Sequence, residues 1–189
     1  MTETVDRADV VDLLTADHHD VLSMLQEIKS APSGERRREL ADVVIGELVR
    51  HSVAEEMFVY PAMRRHLPDG DEAVEHDVGE HKELETLMKR WEGVDAASAD
   101  FDRVLAELES VLRDHVQDEE SEQFPQLRSH VPADELVDMA EKVEMAKRVA
   151  PTRPHPLAPN NALFHFVVGP GVGLVDRLRD AWSKRPDHA

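Results

Sequence analysis

Apolar residues along the chain recur in alternating steps of three and four, the spacing that gathers them on one face of an α-helix. From about Asp6 to Ser30 the seam is Val11, Leu14, His18, Val21, Leu25 and Ile28. A second stretch, from about Glu35 to His66, carries Leu40, Val44, Leu48, His51, Glu55, Phe58 and Ala62. A third, from about Asp71 to Gly93, carries Val74, Asp77, His81, Leu84, Met88 and Trp91. The fourth opens near Ser98, an N-cap residue type, and closes near Ser129; its seam is Phe101, Leu105, Leu108, Leu112, His115, Glu119 and Glu122. Pro32-Ser33-Gly34 and Pro68-Asp69-Gly70 break the pattern between helices. Short connections between long helices force neighbours to run antiparallel. The pattern therefore predicts an all-α fold, an up-down-up-down four-helix bundle over residues 6–130.

Residues 131–189 read as a helical and irregular extension packed on the bundle. A fifth helix is expected from Pro132 to about Val149, then a segment holding Pro151, Pro154, Pro156 and Pro159, which cannot be regular helix. The apolar run Phe164 to Val168 and a short helix from Leu174 to Trp182 complete the expectation.

The bundle sequence repeats itself. His51-Ser-Val-Ala-Glu55-Glu56-Met-Phe-Val-Tyr60-Pro61 matches His115-Val-Gln-Asp-Glu119-Glu120-Ser-Glu-Gln-Phe124-Pro125, 64 residues later, at the histidine, both glutamates, an aromatic and the proline. Asp17-His18 matches Glu80-His81, 63 residues later. Each half is a histidine helix followed by a His-x-x-x-Glu helix. Duplication of a helical hairpin accounts for this without any chemistry.

Chemistry enters with the positions of the repeated polar residues. His18, His51, Glu55, His81, His115 and Glu119 all fall on core seams. Residues four apart on a helix share a face, so His51 with Glu55, and His115 with Glu119, are each placed to grip one ion. The single histidines of the first and third helices complete two sets. An unpaired buried charge costs several kcal/mol, and the seams supply no Lys or Arg beside the cluster. Partial protonation of paired carboxylates is one way to relieve that cost; a pair of metal cations relieves it more completely. Mixed histidine and carboxylate ligands suit iron, manganese or zinc.

Composition narrows the setting. Among 189 residues, 22 Lys and Arg face 40 Asp and Glu, a formal net charge of −18. Such a surface opposes nucleic acid and anionic membrane. There are no cysteines, which excludes disulfides, thiolate metal sites and a cysteine nucleophile. No apolar run reaches the roughly 20 residues that span a bilayer, and the first residues lack the basic and apolar regions of a secretion signal. A cytoplasmic protein is the expectation.

Asp17-His18, His51 to Pro61, Glu80-His81 and His115 to Pro125, in this order and spacing, resemble the hemerythrin-like, or HHE cation-binding, family over roughly residues 10–130. The resemblance implies a four-helix bundle around two iron ions joined by an oxo or hydroxo bridge, with zinc or manganese disfavoured. It implies His18, His51, His81 and His115 as ligands and Glu55 and Glu119 as bridging or terminal carboxylates. In function it points to a non-haem di-iron protein that reacts with peroxide, O2 or NO in oxidative or nitrosative stress defence, with recourse to a redox partner protein. The alternative is reversible O2 or NO binding, sensing or iron storage without turnover. Oligomeric state is left open.

One position departs from the oxygen-carrying members, which have a second histidine one turn before the third-helix ligand. Here that place is Asp77, and His76 is one residue off and expected to point elsewhere. Asp77 is either an additional carboxylate ligand or a solvated aspartate. Tyr60, the single tyrosine, is core packing before Pro61 or a phenol near the metal; its repeat partner is Phe124. Glu122 on the fourth seam is a proton relay or marks a bundle end open to water. Glu56 and Glu120 are expected at the surface or behind the ligands. His19, His66 and His130 lie off the seams and are expected at the surface, and His155 and His165 lie in the tail.

Overall fold

The computed structural model describes residues 7–150 and 152–153. The chain divides into two compact units, Met1–Pro156 and Leu157–Ala189, and all described residues belong to the first. The expected Phe164–Val168 run, the Leu174–Trp182 helix, His155 and His165 lie outside the described residues.

Capping side chains set where the helices start. Asp9 accepts from the Asp12 N–H and Asp12 returns the bond to the Asp9 N–H, a capping box that opens α1, Val10–Ser30. Ser33 accepts from the Arg36 N–H ahead of α2, Gly34–Ala54. Ser98, expected as a cap, accepts from the Phe101 N–H at 3.3 Å ahead of α5, Ala99–Asp118. The remaining helices are α3, Tyr60–His66; α4, Gly70–Glu92; α6, Phe124–His130; and α7, Ala133–Val149. No strand occurs among the described residues, and no helix there is long and apolar enough to cross a membrane. At the turn into α4, a Cβ on Gly70 would lie 2.1 Å from the Met63 carbonyl oxygen, so only glycine lets the two helix ends approach this closely.

α1, α2 with α3, α4, and α5 with α6 form the four-helix bundle, α1 packing on α2 and α5, and α4 on α5, α3 and α2. α7 lies against α1 and α2. Two apolar clusters fill the interior. One holds Val21, Leu25, Ile28, Leu84, Trp91, Phe101 and their neighbours. The other holds Val10, Leu14, Val59, Met63, Val74, Phe124 and the buried face of α7. Between them lies a polar layer, because His18 on α1 sits between Leu14 and Val21, and His81 on α4 between Val74 and Leu84.

The second and fourth bundle helices are not the uninterrupted α-helices that the seams imply. Each contains one π-turn, Glu55–Val59 between α2 and α3 and Glu119–Gln123 between α5 and α6. The closing bonds run from the Tyr60 N–H to the Glu55 carbonyl and from the Phe124 N–H to the Glu119 carbonyl. Pro61 and Pro125 follow directly. A proline inside an α-helix lacks the N–H and drives its ring into the carbonyl four residues back; a wider turn takes up that clash. The extra residue shifts the phase directly after it, although Ala62, the last residue of the second seam, is buried as expected. Val59 rather than Phe58 becomes buried, and Gln123 rather than Glu122. Glu122 is exposed, so its place on the seam is corrected, and it does not join the cluster.

Candidate metal centre

His18, His51, His81 and His115 are each at most 4 % exposed, and Glu55 and Glu119 at most 1 %. The structure brings all six together in the polar layer. The His18 and His51 rings are 4.8 Å apart between centroids, and the His81 and His115 rings 5.0 Å. Glu55 spans the halves: Oε1 is 3.2 Å from His51 Nε2, and Oε2 is 3.4 Å from His81 Nε2. Glu119 does the same with a single oxygen, Oε2, 3.2 Å from His18 Nε2 and 3.5 Å from His115 Nε2.

The outer nitrogens face carboxylates. Glu120 lies 2.9 Å from His18 Nδ1, Asp17 3.3 Å from His51 Nδ1, and Glu80 2.9 Å from His115 Nδ1. Glu56 lies more loosely, 3.5 Å from His81 Nδ1. Ionised carboxylates only accept, so Glu120, Asp17 and Glu80 call for a proton on Nδ1 of His18, His51 and His115, which leaves those three Nε2 lone pairs pointing inward. The arrangement follows the repeat. Asp17 and Glu80 each hold the His-x-x-x-Glu histidine of their own half, while Glu56 and Glu120 each reach the single histidine of the other half. The aromatics cross over too: Tyr60 stacks on His81 and Phe124 on His18, the latter pair 6° from parallel.

The residues fit a metal cation on an observation of their own. His18 Nε2 and His51 Nε2 are 3.2 Å apart. If both rings carry their proton on Nδ1, two lone pairs face each other at that distance. Both Glu55 oxygens, Glu119 Oε2 and His115 Nε2 are buried without a hydrogen-bond partner. They lie close to ring nitrogens, yet no N–H points at them in hydrogen-bond geometry. A shared cation resolves such a set; protons are its competitor. Burial alone would hold His51 and His81 down, but Glu55, with Asp17 at His51 and Glu56 at His81, outweighs it and pushes both imidazoles up to about 10. The same contest raises His115, chiefly through Glu119.

Asp77 and Tyr60 stand beside the cluster. Asp77 is fully buried rather than solvated; Gln123 Nε2 donates to its Oδ1 at 2.8 Å, while its Oδ2 has no partner. Burial, with Glu119 nearby, pushes its carboxyl up to about 7 against the pull of Gln123. The Tyr60 hydroxyl is 3.2 Å from both ring nitrogens of His81. Burial, and then the Glu55, Glu119 and Asp77 charges, raise its phenol well above the usual range, so it stays a neutral donor. His19 and His130 are exposed as expected, whereas His66 is half-buried and 3.3 Å from Glu135 of α7. The roles of Asp17, Glu80 and Gln123 were not anticipated. For the first two, the signal was an acidic residue directly before a seam histidine in both halves; for Gln123, it was Pro125 two residues on.

Comparisons with known proteins agree with this geometry. Residues 9–127 match the family model for the hemerythrin HHE cation-binding domain. A hemerythrin-like protein of Schizosaccharomyces pombe is 34 % identical over 178 residues, covering 94 % of this chain and 88 % of that one. A DNA nickase of Nostoc sp. is 24 % identical over 149 residues, and the match spans only 42 % of its length. The crystal structure of a hemerythrin HHE cation-binding domain-containing protein from Mycobacterium kansasii superposes with a TM-score of 0.66 at 17 % identity, covering 90 % of this chain and 99 % of that one. With the histidine and glutamate cluster able to hold metal, the chain belongs to the hemerythrin HHE cation-binding family.

Proposed function

We propose that the chain holds two iron ions between its halves and consumes a small oxidant, hydrogen peroxide, O2 or NO, in defence against oxidative or nitrosative stress. The observation that carries this reading is the inward convergence of four Nε2 atoms with three unpartnered carboxylate oxygens, both of Glu55 and Oε2 of Glu119, while each outer nitrogen faces a carboxylate. One ion draws on His18 and His51, the other on His81 and His115, and Glu55 and Glu119 are shared. A bound iron pair supplies electron exchange with such a molecule, two electrons at a time.

The chain's own residues do the rest. The outer carboxylates fix the ring tautomers and raise ligand basicity. The apolar clusters above and below the layer exclude water. Asp77 Oδ2 is the buried oxygen placed to hold a proton, and Tyr60 the buried hydroxyl placed to donate a hydrogen bond; both stand beside the His81 and His115 half. The repeat counterparts Leu14 and Phe124 offer neither. With O2 or NO a redox partner protein would supply the electrons that restore the metal; with peroxide a second peroxide molecule would supply them and leave as O2. The net charge of −18 opposes a nucleic-acid partner, so the nickase's activity is not carried to this chain.

Metal analysis and an absorption spectrum of the aerobically purified protein, followed by timed peroxide consumption, test the reading. The expected result is two irons per chain and peroxide consumption that His51→Ala and His115→Ala abolish. One iron or none, or variants as active as the wild type, overturns it. Reversible spectral change with O2 and no consumption assigns binding or sensing instead.

A further inference from the structure

The four outer carboxylates are not compensated alike. Asp17 pairs with the ammonium of Lys147 from α7. Its repeat partner Glu80 has no Lys or Arg against it among the described residues. Glu80 Oε2 accepts from His115, and Oε1 turns outward to lie 3.4 Å from His76 Nε2. Asp118 Oδ2, from α5, lies 3.3 Å from the same nitrogen. One ring nitrogen cannot direct a single N–H at two carboxylates, and both distances are long for hydrogen bonds.

This outer group is the first of three. His76, Glu80 and Asp118 offer ligand atoms all within 4.8 Å of one another; so do Asp77, Glu80 and His115; so do Glu55, His81 and His115. Glu80 belongs to the first two sets and His115 to the last two. Inside the middle set, Asp77 is fully buried and its Oδ2 has no partner. Shared residues thus link the half-exposed His76 to the polar layer, with the His115 ring presenting Nδ1 to Glu80 and Nε2 to Glu119. Among the described residues the other half has no such series. The positions equivalent to His76, Asp77 and Asp118 are Leu13, Leu14 and Ala54, and the place beside the equivalent carboxylate is filled by Lys147.

We propose that His76, Glu80 and Asp118 form a third, surface site for a divalent cation, and that this site with Asp77 is the route by which metal ions enter the buried centre. The route, though not the surface site, rests on the metal-centre reading above. An imidazole with two carboxylates suits Fe2+, Zn2+ or Mn2+. A cation there takes the position that the Lys147 ammonium takes on the other side. The negative surface raises the local concentration of cations around the entrance. Glu80 keeps one oxygen toward each side, so an ion bound by it is already next to His115.

The test compares wild type with His76→Ala/Asp118→Asn, both stripped by chelator. Both positions are solvent-accessible, and a matching circular dichroism spectrum and melting temperature confirm that the variant folds. Calorimetric titration with Zn2+ is expected to give three ions per wild-type chain and two per variant chain. A wild type that binds two, or a variant that binds three, overturns the surface site. Stopped-flow uptake of Co2+ is expected to slow about tenfold in the variant, with the buried sites filled to the same final level. An unchanged rate overturns the entry route. A wild type that binds one ion, lost in the variant, and no others refutes the buried pair and the route while establishing the surface site.

Discussion

Removing the metal should make the stability of this protein depend steeply on alkaline pH. Without cations, the charge of Glu55 and Glu119 in the polar layer is balanced by protonated imidazoles. His51 and His81 rise from 6.5 to about 10 despite a burial penalty, because Glu55 and the outer carboxylates favour the charged rings. Their folded value lies above their unfolded value, so the stabilisation is complete below pH 6.5 and is lost as pH climbs through about 10. The rise is worth about 5 kcal/mol for one imidazole, and we count it once because both rings lean on Glu55. The slope is then about 1.4 kcal/mol per pH unit, a fall of about 2 kcal/mol between roughly pH 8 and 9.5. Asp77 titrates lower, near 7, and so stays out of this window. Cations replace the protons in the loaded protein, which should be nearly flat over the same range. Urea denaturation of stripped and reloaded protein at a series of pH values measures both. A stripped protein as flat as the loaded one would show that the imidazoles are neutral, and the charge balance argued here would be wrong.

Replacing an outer carboxylate should weaken metal binding without touching a ligand: Glu120→Gln is expected to lose about 10- to 100-fold in affinity by chelator competition, while Glu122→Gln, exposed two residues on, should lose nothing. In the stripped protein, Asp77→Asn keeps an acceptor for Gln123 and removes a buried charge. It should be more stable than wild type by about 2–4 kcal/mol near pH 8, the advantage growing between about pH 4 and 7; equal denaturation midpoints at pH 8 would refute the buried charge. Deleting Ser121, an exposed residue of the second π-turn, should force a regular helix onto Pro125 and cost about 3 kcal/mol. Adding Pro125→Ala should recover most of that loss in thermal melts, and failure to recover it would mean the proline is not what sets the turn.

The bundle was legible because α1 and α4 obey the simple helical period throughout. Every seam residue assigned to them, from Val11 to Ile28 and from Val74 to Trp91, is buried. The same period held in the other two bundle helices as far as Glu55 and Glu119 and failed directly afterwards, at Phe58 and Glu122. The assumption of a constant turn per residue broke there, and the prolines that break it were visible but served only as points of repeat. The six converging residues were legible for the same reason as the core: His18 and His81 lie on the uninterrupted α1 and α4, and the other four precede or begin the π-turns. Their outer partners were not, because which ring nitrogen faces in depends on how helices cross. Glu120 reaches His18 across 102 residues of sequence, a relation that spacing along one helix does not contain.

The repeat explains what the two halves share and thereby isolates what they do not. Histidines, inner glutamates and outer carboxylates come in pairs, and together they make a symmetric holder. The unpaired residues divide by side. Lys147 closes the outer carboxylate of the first half. Asp77, Gln123, His76 and Asp118 gather on the second, where the first has Leu14, Val59, Leu13 and Ala54. An apolar wall and an ammonium on one side, against a buried acid, an amide and a surface imidazole on the other, make two chemically unequal positions out of one duplicated hairpin. Two ions bound in such a holder would see the same ligands but different surroundings. On the proposed route, cations would therefore enter through the second half, where no ammonium stands against the outer carboxylate as Lys147 does in the first.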